Sequence, residues 1–351
     1  MNVRIGLLAL LLLATPALAQ GFAGLGSDAQ GFAVPQPGVT LNFPQDHGAH
    51  PQYRIEWWYA TANLTGADGQ DYGVQWTLFR SALAPGEKPG WQSPQLWMGH
   101  AALTTAAEHH SAERVGRGGI GQAGVSLSPF AATIDDWSMT SRAAAGADPL
   151  SAVTIAASGK GFSYRLDLDA RGPLVLQGDK GYSVKSAQGQ ASEYYSQPFY
   201  MVTGTIHTGD TDVAVTGQAW FDHEWSSQPL AADQTGWDWF SFHFEDGQKL
   251  MGFRLRDSGA GFTSATWIKA DGTSEALAPG DLSVTPLAWG EVKGHRVPVK
   301  WRLTLPAKHL DVTTSALNDE AWMDTQVAYW EGPVRITGSH RGRGYVEMTG
   351  Y

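Results

Sequence analysis

The chain has 351 residues, a formal net charge of −10 and no cysteine. An acidic chain without a basic run argues against binding to nucleic acid or to an anionic lipid surface, and the lack of cysteine excludes disulfides, cysteine metal sites and lipidation at an N-terminal cysteine. Its 15 tryptophans suit either a cavity for a large apolar ligand or the filling of barrel cores, because each offers a large rigid apolar face and one N–H.

The first nineteen residues, 1–19, are predicted to form a cleavable signal peptide. Arg4 supplies the positive n-region, Leu7 to Leu13 the apolar h-region, and Ala17-Leu18-Ala19 the small-residue cleavage site. The apolar run is too short to span a bilayer, and no later segment reaches about 18 apolar residues. We therefore expect an exported, periplasmic or secreted protein, cleaved after Ala19 and without a transmembrane segment. An uncleaved N-terminal anchor is the alternative.

Residues 20–50 are rich in Gly, Pro, Ala and Gln and are predicted to form an irregular N-terminal arm. From there onwards the pattern predicts strands, because runs of aromatic and β-branched residues are bounded by Gly, Asp or Pro turns. Short helical stretches remain open near Thr104 to Glu113 and near Asp319 to Asp324. Short strands in close succession along the chain are typical of a sandwich or an antiparallel barrel. A barrel of about eight strands leaves room inside for one ligand.

The chain also contains an internal repeat. Glu56-Trp57-Trp58-Tyr59, followed by an Asp-Gly-Gln turn, corresponds to Asp238-Trp239-Phe240 and a second Asp-Gly-Gln turn. Near the ends of the copies, Tyr195-Ser196-Gln197-Pro198 matches Tyr329-Trp330-Glu331-Gly332-Pro333. The matches occur in the same order, and the period is too long for a solenoid. We predict an all-β protein of two tandem antiparallel barrels, over residues 51–219 and 220–351.

One block at the junction of the copies has no counterpart in the second copy: Trp220-Phe221-Asp222-His223-Glu224-Trp225. On a strand, Asp222 and Glu224 face one way and His223 and Trp225 the other, so one pair can face a cavity and the other the domain interface. A carboxyl beside tryptophan rings has its pKa raised and can donate a proton near neutral pH, and a histidine does so without any shift. We predict Asp222, His223 and Glu224 as catalytic residues. A hydrogen-bonded polar plug that joins two barrels is the structural alternative.

Two acids in the repeated segments are further candidates. Glu56 is a candidate acid or base, or the partner of Arg80 in a buried structural ion pair. Asp238 occupies the matching place in the second copy, and a residue present in both copies is expected to maintain the fold. His100 can face the barrel lumen or be a hydrogen-bonded core histidine. The predicted ligand-binding residues are Glu56, Trp57, Tyr59, His100, Tyr195, Trp225, Trp237, Asp238 and Trp239.

The sequence contains no motif for a metal site, a cofactor site or a serine hydrolase. No metal site is predicted, because His223 and Glu224 are adjacent and no second histidine sits at helical ligand spacing. No cofactor is expected. A serine hydrolase is disfavoured because the chain has no Gly-x-Ser-x-Gly elbow.

Several of these motifs together resemble one known family. They are Glu56-Trp57-Trp58-Tyr59, Met98-Gly99-His100-Ala101-Ala102-Leu103, Tyr194-Tyr195-Ser196, Gly217-Gln218-Ala219-Trp220 and Asp222-His223-Glu224-Trp225. The chain, from about Pro44 to Tyr351, resembles the attH-like and carotenoid 1,2-hydratase-like group of lipocalin-like proteins, often described as predicted secreted hydrolases. The resemblance implies two tandem lipocalin-like β-barrels. Some relatives hydrate the terminal double bond of acyclic carotenoids, others are similar to fungal cyclases, and many attH-like members are associated with ABC exporters.

The leading expectation is a protein that binds a large apolar ligand, isoprenoid- or acyl-like, with acid/base addition of water to a double bond as its candidate chemistry. Such an enzyme would be a hydro-lyase, with a hydrolase or cyclase acting on an apolar substrate as further options. Asp222 or His223 would donate the proton, and Trp225, Trp237 or Trp239 would stabilise the cation. The alternative is a non-catalytic lipid carrier or chaperone working with an ABC exporter. A titratable group within reach of the cavity would favour the enzyme.

Overall fold

The computed structural model describes Leu25 and residues 29–351. The predicted signal peptide lies outside the described residues, and so does part of the predicted arm. Within the described part of the chain, no helix has the length and apolar character needed to cross a bilayer.

The described residues form an all-β protein without an α-helix, as predicted, and turns of 3-10 helix occur at Gln45–His47, Gly90–Gln92, Pro149–Ser151 and Pro306–Lys308. The segment that was left open to a helix near Thr104 to Glu113 mostly belongs to a strand, and the one near Asp319 to Asp324 holds a two-residue strand. The strands of the first sheet are β1 Ile55–Gly66, β2 Asp71–Ala82, β3 Gln95–Thr104, β4 His109–Arg117, β5 Ala123–Leu127, β6 Phe130–Ile134, β7 Trp137–Ser141, β8 Ala152–Gly159, β9 Phe162–Ala170, β10 Val175–Leu176, β11 Tyr182–Val184, β12 Ala191–Thr208 and β13 Thr211–Ser226.

The second sheet uses the C-terminal part of the chain. Its strands are β14 Gly236–Phe244, β15 Lys249–Arg256, β16 Phe262–Ile268, β17 Ser274–Leu277, β18 Ser283–Val292, β19 His295–Leu305, β20 Leu310–Ala316, β21 Trp322–Met323, β22 Tyr329–Gly338 and β23 Gly342–Thr349.

The two sheets repeat one topology. The first runs β4-β3-β2-β1-β13-β12-β9-β8-β7-β6-β5, and the second runs β17-β16-β15-β14-β23-β22-β20-β19-β18. In each sheet the first long strand pairs with the last one, and the next three strands follow as a meander on the other side. The common order confirms the duplication inferred from the short sequence matches.

The first sheet curls into a nearly closed barrel and the second into a half-barrel, as expected for lipocalin-like domains. Each encloses its own apolar core. A third cluster of buried side chains, including Tyr59, Tyr194, Trp239 and Phe253, combines residues of both sheets. The outward faces of the two barrels are therefore packed against each other.

The junction of the domains differs in detail from the sequence-based boundary. The last strand of the first sheet, β13, runs to Ser226, and the second sheet starts at Gly236. The boundary predicted at residues 219 and 220 therefore falls inside β13. The Asp222 to Trp225 block is part of the first sheet and lies next to its first strand.

Candidate functional site

The site-forming face follows from the two-residue period of strands β1, β12 and β13. Directly opposed residues of antiparallel strands point to the same side of a sheet. The side of the first barrel that meets the second barrel carries two such rows: Asp222 with Tyr59 and Ser196, and Glu224 with Trp57 and Tyr194. The intervening residues point into the first barrel. The predicted separation of Asp222 and Glu224 from His223 and Trp225 is thus observed.

A cavity of about 310 Å³ lies between the two barrels. Its walls come from both sheets and are mostly apolar, with a few acids, tyrosines and one lysine among them. Side chains that line it and that bear on its chemistry are Trp57, Tyr59, Phe79, Met98, His100, Lys185, Tyr194, Asp222, Glu224, Trp237, Trp239, Phe253, Tyr329 and Glu347.

Asp222 is a buried carboxyl on this wall. Its Oδ1 atom accepts hydrogen bonds from Ser196 Oγ at 2.5 Å and from Trp220 Nε1 at 2.8 Å. Burial raises the pKa of Asp222 to about 7, although the bonds from Ser196, Trp220 and Tyr194 oppose the rise. Near neutral pH the group can therefore carry a proton and give it away.

Glu224 lies beside Asp222 on the same face, but a cation neutralises it. Lys185 Nζ lies 2.8 Å from Glu224 Oε1, and Ser192 Oγ donates to the same oxygen. The ammonium group also lies 4.9 Å above the ring of Tyr194 and 4.3 Å above that of Phe253. The ion pair with Lys185 holds Glu224 in place. Asp222 and Glu224 therefore have different surroundings although they lie on the same face.

The second barrel contributes two acids of its own, Glu331 and Glu347, which lie opposite each other on β22 and β23. Tyr59 Oη donates to Glu331 Oε1, and Trp237 Nε1 donates to Glu347 Oε1 at 2.5 Å. Burial raises the pKa of Glu347 to about 7, and it raises the pKa of Glu331 well above its ordinary value, helped by the neighbouring Glu347. The cavity thus has titratable carboxyls on walls from both barrels.

The other side chains of the block lie inside the first barrel. His223 Nε2 contacts Glu56 Oε1 at 2.8 Å, and its Nδ1 contacts Tyr195 Oη at 3.0 Å. Its ring stacks on Trp58 at 4.5 Å between centroids, and burial lowers the pKa of His223 to about 4. His223 is therefore a neutral imidazole held within the barrel.

Glu56 and Asp238 are equivalent in the two barrels. Each points inward and pairs with the arginine directly opposite on the next strand: Glu56 with Arg80 at 2.8 Å, and Asp238 with Arg254 at 2.8 Å. The ion pair of Glu56 and Arg80 considered from the sequence is thus present. Both acids stabilise the barrel interior. Glu56 also contributes to the cavity lining.

Three groups inside the first barrel could hold a metal ion by their spacing. Ligand atoms of His50, Glu56 and His223 lie within 4.8 Å of one another. However, Glu56 Oε1 is already shared by His50 Nδ1 at 2.6 Å and His223 Nε2 at 2.8 Å, and Arg80 Nε holds its other oxygen. His50 has its pKa raised to about 9, because Glu56 and Asp46 outweigh the effect of burial. A protonated imidazole and a guanidinium beside these ligand atoms disfavour the binding of a divalent cation. The expectation that the protein binds no metal remains a prediction.

The predicted site residues thus fall into two groups. Asp222, Glu224, Trp57, Tyr59, His100, Trp237 and Trp239 line the inter-barrel cavity, whereas His223, Tyr195, Trp225 and Asp238 point into the barrels. His100 faces the second barrel and not the lumen considered for it, with Nδ1 2.9 Å from Tyr329 Oη.

Sequence reasoning missed Lys185, Glu331 and Glu347. Glu331 and Glu347 each have uncharged neighbours on both sides in the sequence, and Lys185 lies among serines and glutamines, which are typical of a loop. Glu331 lies in the matched segment that begins at Tyr329, where the repeat drew attention to the fold and not to the acid.

The comparisons with known proteins agree with this architecture. A crystal structure of a Nitrosomonas europaea protein, described there as an AttH, superposes with a TM-score of 0.80 at 32% identity, over 91% of this chain and 100% of that one. Kievitone hydratase from Nectria haematococca matches with a TM-score of 0.69 at 16% identity, over 91% and 95% of the two chains, and CghA with 0.51 at 16%, over 92% and 96%. These two show the fold. No curated protein matches the sequence. The AttH-like family matches residues 34–351, and the chain belongs to that family.

Proposed function

We propose that the protein adds water to a carbon–carbon double bond of a large apolar substrate, isoprenoid- or acyl-like, in the cavity between its barrels. The observation that carries the proposal is the position of Asp222. It is a buried carboxyl with a pKa raised to about 7, and it lies on the wall of a cavity that is otherwise mostly aromatic and aliphatic.

The first step is transfer of the Asp222 proton to one carbon of the double bond. The π electrons form the new C–H bond, and the neighbouring carbon becomes a cation. A weak acid is suited to this step because an apolar wall keeps it protonated near neutral pH and leaves the substrate as the nearest acceptor. The hydrogen bonds from Ser196 and Trp220 then stabilise the carboxylate that remains.

The cationic carbon is stabilised by ring faces in place of water. Trp57, Trp237 and Trp239 line the cavity, and Tyr194 lies beside them. A cation over such a ring gains roughly 0.5–2 kcal/mol from the ring quadrupole. An aromatic wall therefore lowers the energy of the intermediate without offering a nucleophile that would trap it.

Addition of water completes the reaction. The water oxygen bonds to the cationic carbon, and one water proton passes to a carboxylate. Glu347 is placed for this role because it lines the wall contributed by the second barrel and has a pKa raised to about 7. Glu347 ends protonated and Asp222 ionised, so one proton must leave and one must enter before the next turnover.

The wall chemistry and the structural neighbours both support an enzyme over a carrier. A carrier needs only an apolar lumen with polar groups at its mouth, whereas Asp222, Glu347 and Tyr59 lie along this cavity. One protein with the same fold is named a hydratase. At 16% identity the name is a reason to test hydration first.

Export and a partner are part of the proposal. Residues 1–19 would direct the chain across the inner membrane and be removed after Ala19, and an ABC exporter would be the partner of the mature protein. N-terminal sequencing of the protein recovered from the periplasm tests the first part. Affinity purification of the tagged mature protein from cross-linked membranes tests the second.

Hydration is tested with labelled water. Lipids extracted from the purified protein are identified by mass spectrometry, and these, together with acyclic and prenylated alkenes, are incubated with the enzyme in H₂¹⁸O. The expected product gains one labelled water. Asp222→Asn should lower turnover by about 10²-fold or more, whereas the same change at the exposed Asp136 should not. Binding without any label uptake, unchanged by Asp222→Asn, would identify a carrier.

A further inference from the structure

A line of polar side chains connects the cavity to the surface of the first barrel. Its outer end is Glu113 on β4, whose side chain is 19% exposed and whose Oε1 lies 3.2 Å from His100 Nε2. His100 Nδ1 lies 2.9 Å from the hydroxyl of Tyr329. These three residues join a partly exposed acid to the inter-barrel wall.

The inner half of the line belongs to the carboxyl pair of the second barrel. Tyr329 and Glu331 are two residues apart on β22 and share one face of the strand, so the Tyr329 side chain is a neighbour of the Glu331 carboxyl. Tyr59 Oη donates to Glu331 Oε1, and Glu331 lies directly opposite Glu347, which lines the cavity together with Tyr59. Strands of both barrels contribute to the line, so it exists only while the barrels are docked.

We infer that Glu347, Tyr59, Glu331, Tyr329, His100 and Glu113 form a proton relay that carries the proton released by water addition out of the cavity. The inference rests on the proposed hydration. An apolar substrate that fills the cavity displaces water from Glu347, and a side-chain route then removes the proton while the product is still bound.

The direction of each hydrogen bond fits the outward transfer. Glu113 is an acceptor because its hydrogen bond with His100 lowers its pKa, so His100 must donate through Nε2 and accept through Nδ1 as a neutral imidazole. Tyr329 must then donate to His100.

The inner hydrogen bonds of the line point the same way. The Glu331 carboxyl is 1% exposed, and its Oε2 finds no hydrogen-bond partner among the described residues. With its pKa raised well above the ordinary value, Glu331 is protonated and can donate onward to Tyr329. Tyr59 donates its one proton to Glu331, which leaves its oxygen as an acceptor for a proton from Glu347. All donors therefore point from the cavity towards Glu113.

The relay is tested without any substrate, in the full protein with its cavity filled by n-dodecane, a saturated hydrocarbon that cannot be hydrated and that keeps water from Glu347. Stopped-flow infrared spectroscopy follows this protein after it is mixed into D₂O. The carbonyl band of protonated Glu331 is assigned as the band missing from Glu331→Gln, and its isotope shift reports proton exchange. Tyr329→Phe removes one hydroxyl from the relay and should slow the exchange by about tenfold or more. His100→Gln provides a second interruption should Tyr329→Phe fail to fold.

Tyr164→Phe is the matched control, because Tyr164 is an equally buried tyrosine that donates to the Gln75 carbonyl oxygen outside the relay. It should exchange at the wild-type rate. Wild-type exchange in both Tyr329→Phe and His100→Gln would overturn the relay, since water would then reach Glu331 directly. Equal slowing in Tyr164→Phe would also overturn it, because the effect would be one of general stability. Neither result depends on whether the protein hydrates an alkene.

Discussion

Replacement of His50 tests the buried ion cluster of the first barrel. His50 Nδ1 lies 2.6 Å from Glu56 Oε1, its Nε2 lies 3.3 Å from Asp46 Oδ1, and its ring stacks on Trp225 at 3.8 Å. Burial lowers the pKa of His50, but the two carboxylates outweigh it and raise the pKa from 6.5 to about 9. The folded protein therefore holds this proton more tightly than the unfolded chain does.

The sign and size of the effect follow from proton linkage. The extra stability is fully present below pH 6.5 and is lost as the pH rises through about 9. One unit of pKa corresponds to about 1.4 kcal/mol, so the charged His50 should contribute about 3 kcal/mol, which the protein loses between these limits.

The assay is urea unfolding followed by tryptophan fluorescence, for the wild type and His50→Gln, at intervals from pH 6 to pH 10. The free energy of unfolding of the wild type should exceed that of the variant at pH 6, and the difference should shrink by about 3 kcal/mol by pH 10. Other groups titrate in this range in both proteins, so they cancel in the difference. A difference that stays constant across the range would refute the assignment of the charge to His50.

Three further outcomes are expected. Glu56→Gln leaves a buried guanidinium without its carboxylate and should lower the free energy of unfolding by about 3–5 kcal/mol in the same urea assay. Gly73→Ala would place a methyl group 2.4 Å from Pro333 of the second barrel and should cost about 1–3 kcal/mol in thermal melts, whereas Gly124→Ala meets no atom within 4 Å and should melt like the wild type. At pH 8, Asp222→Asn should be more stable than the wild type by up to about 4 kcal/mol. The reason is that the raised pKa of Asp222 penalises the ionised folded state as the pH rises from 3.8 to about 7. A lower melting temperature of this variant would show that Asp222 has a structural role.

The architecture was predictable because strands and turns are local patterns. The repeat predicted two equivalent barrels, and the two-residue period predicted that Asp222 and His223 face opposite sides. The equivalence of Glu56 and Asp238 also held, since both pair with an arginine on the next strand inside their barrels. Each of these conclusions depends on short sequence distances or on a comparison of the two copies.

The site itself was only half predictable. The two-residue alternation of a strand does not indicate which of its sides meets another domain. His223 and Asp222 were therefore both predicted as catalytic residues, although only Asp222 lines the cavity. The partners Glu331 and Glu347 reach the site because β22 and β23 dock against the first barrel, a contact with no signal in the sequence. Tyr194 and Tyr195 illustrate the same limit: neighbouring strand residues face opposite sides, and only the fold shows that Tyr194 lines the cavity and Tyr195 the core of the first barrel.

Asp222→Asn and His223→Gln decide between the inter-barrel cavity and the interior of the first barrel when their turnover is compared on the first alkene that the wild type hydrates. The two residues are adjacent, and both are buried and hydrogen-bonded, but they lie on opposite faces of β13. If the inter-barrel cavity is the site of chemistry, Asp222→Asn should lose about 10²-fold or more in kcat/KM, while folded His223→Gln should stay within about tenfold of the wild type. The reverse order, with activity lost in His223→Gln and kept in Asp222→Asn, would place the chemistry inside the first barrel and contradict the account.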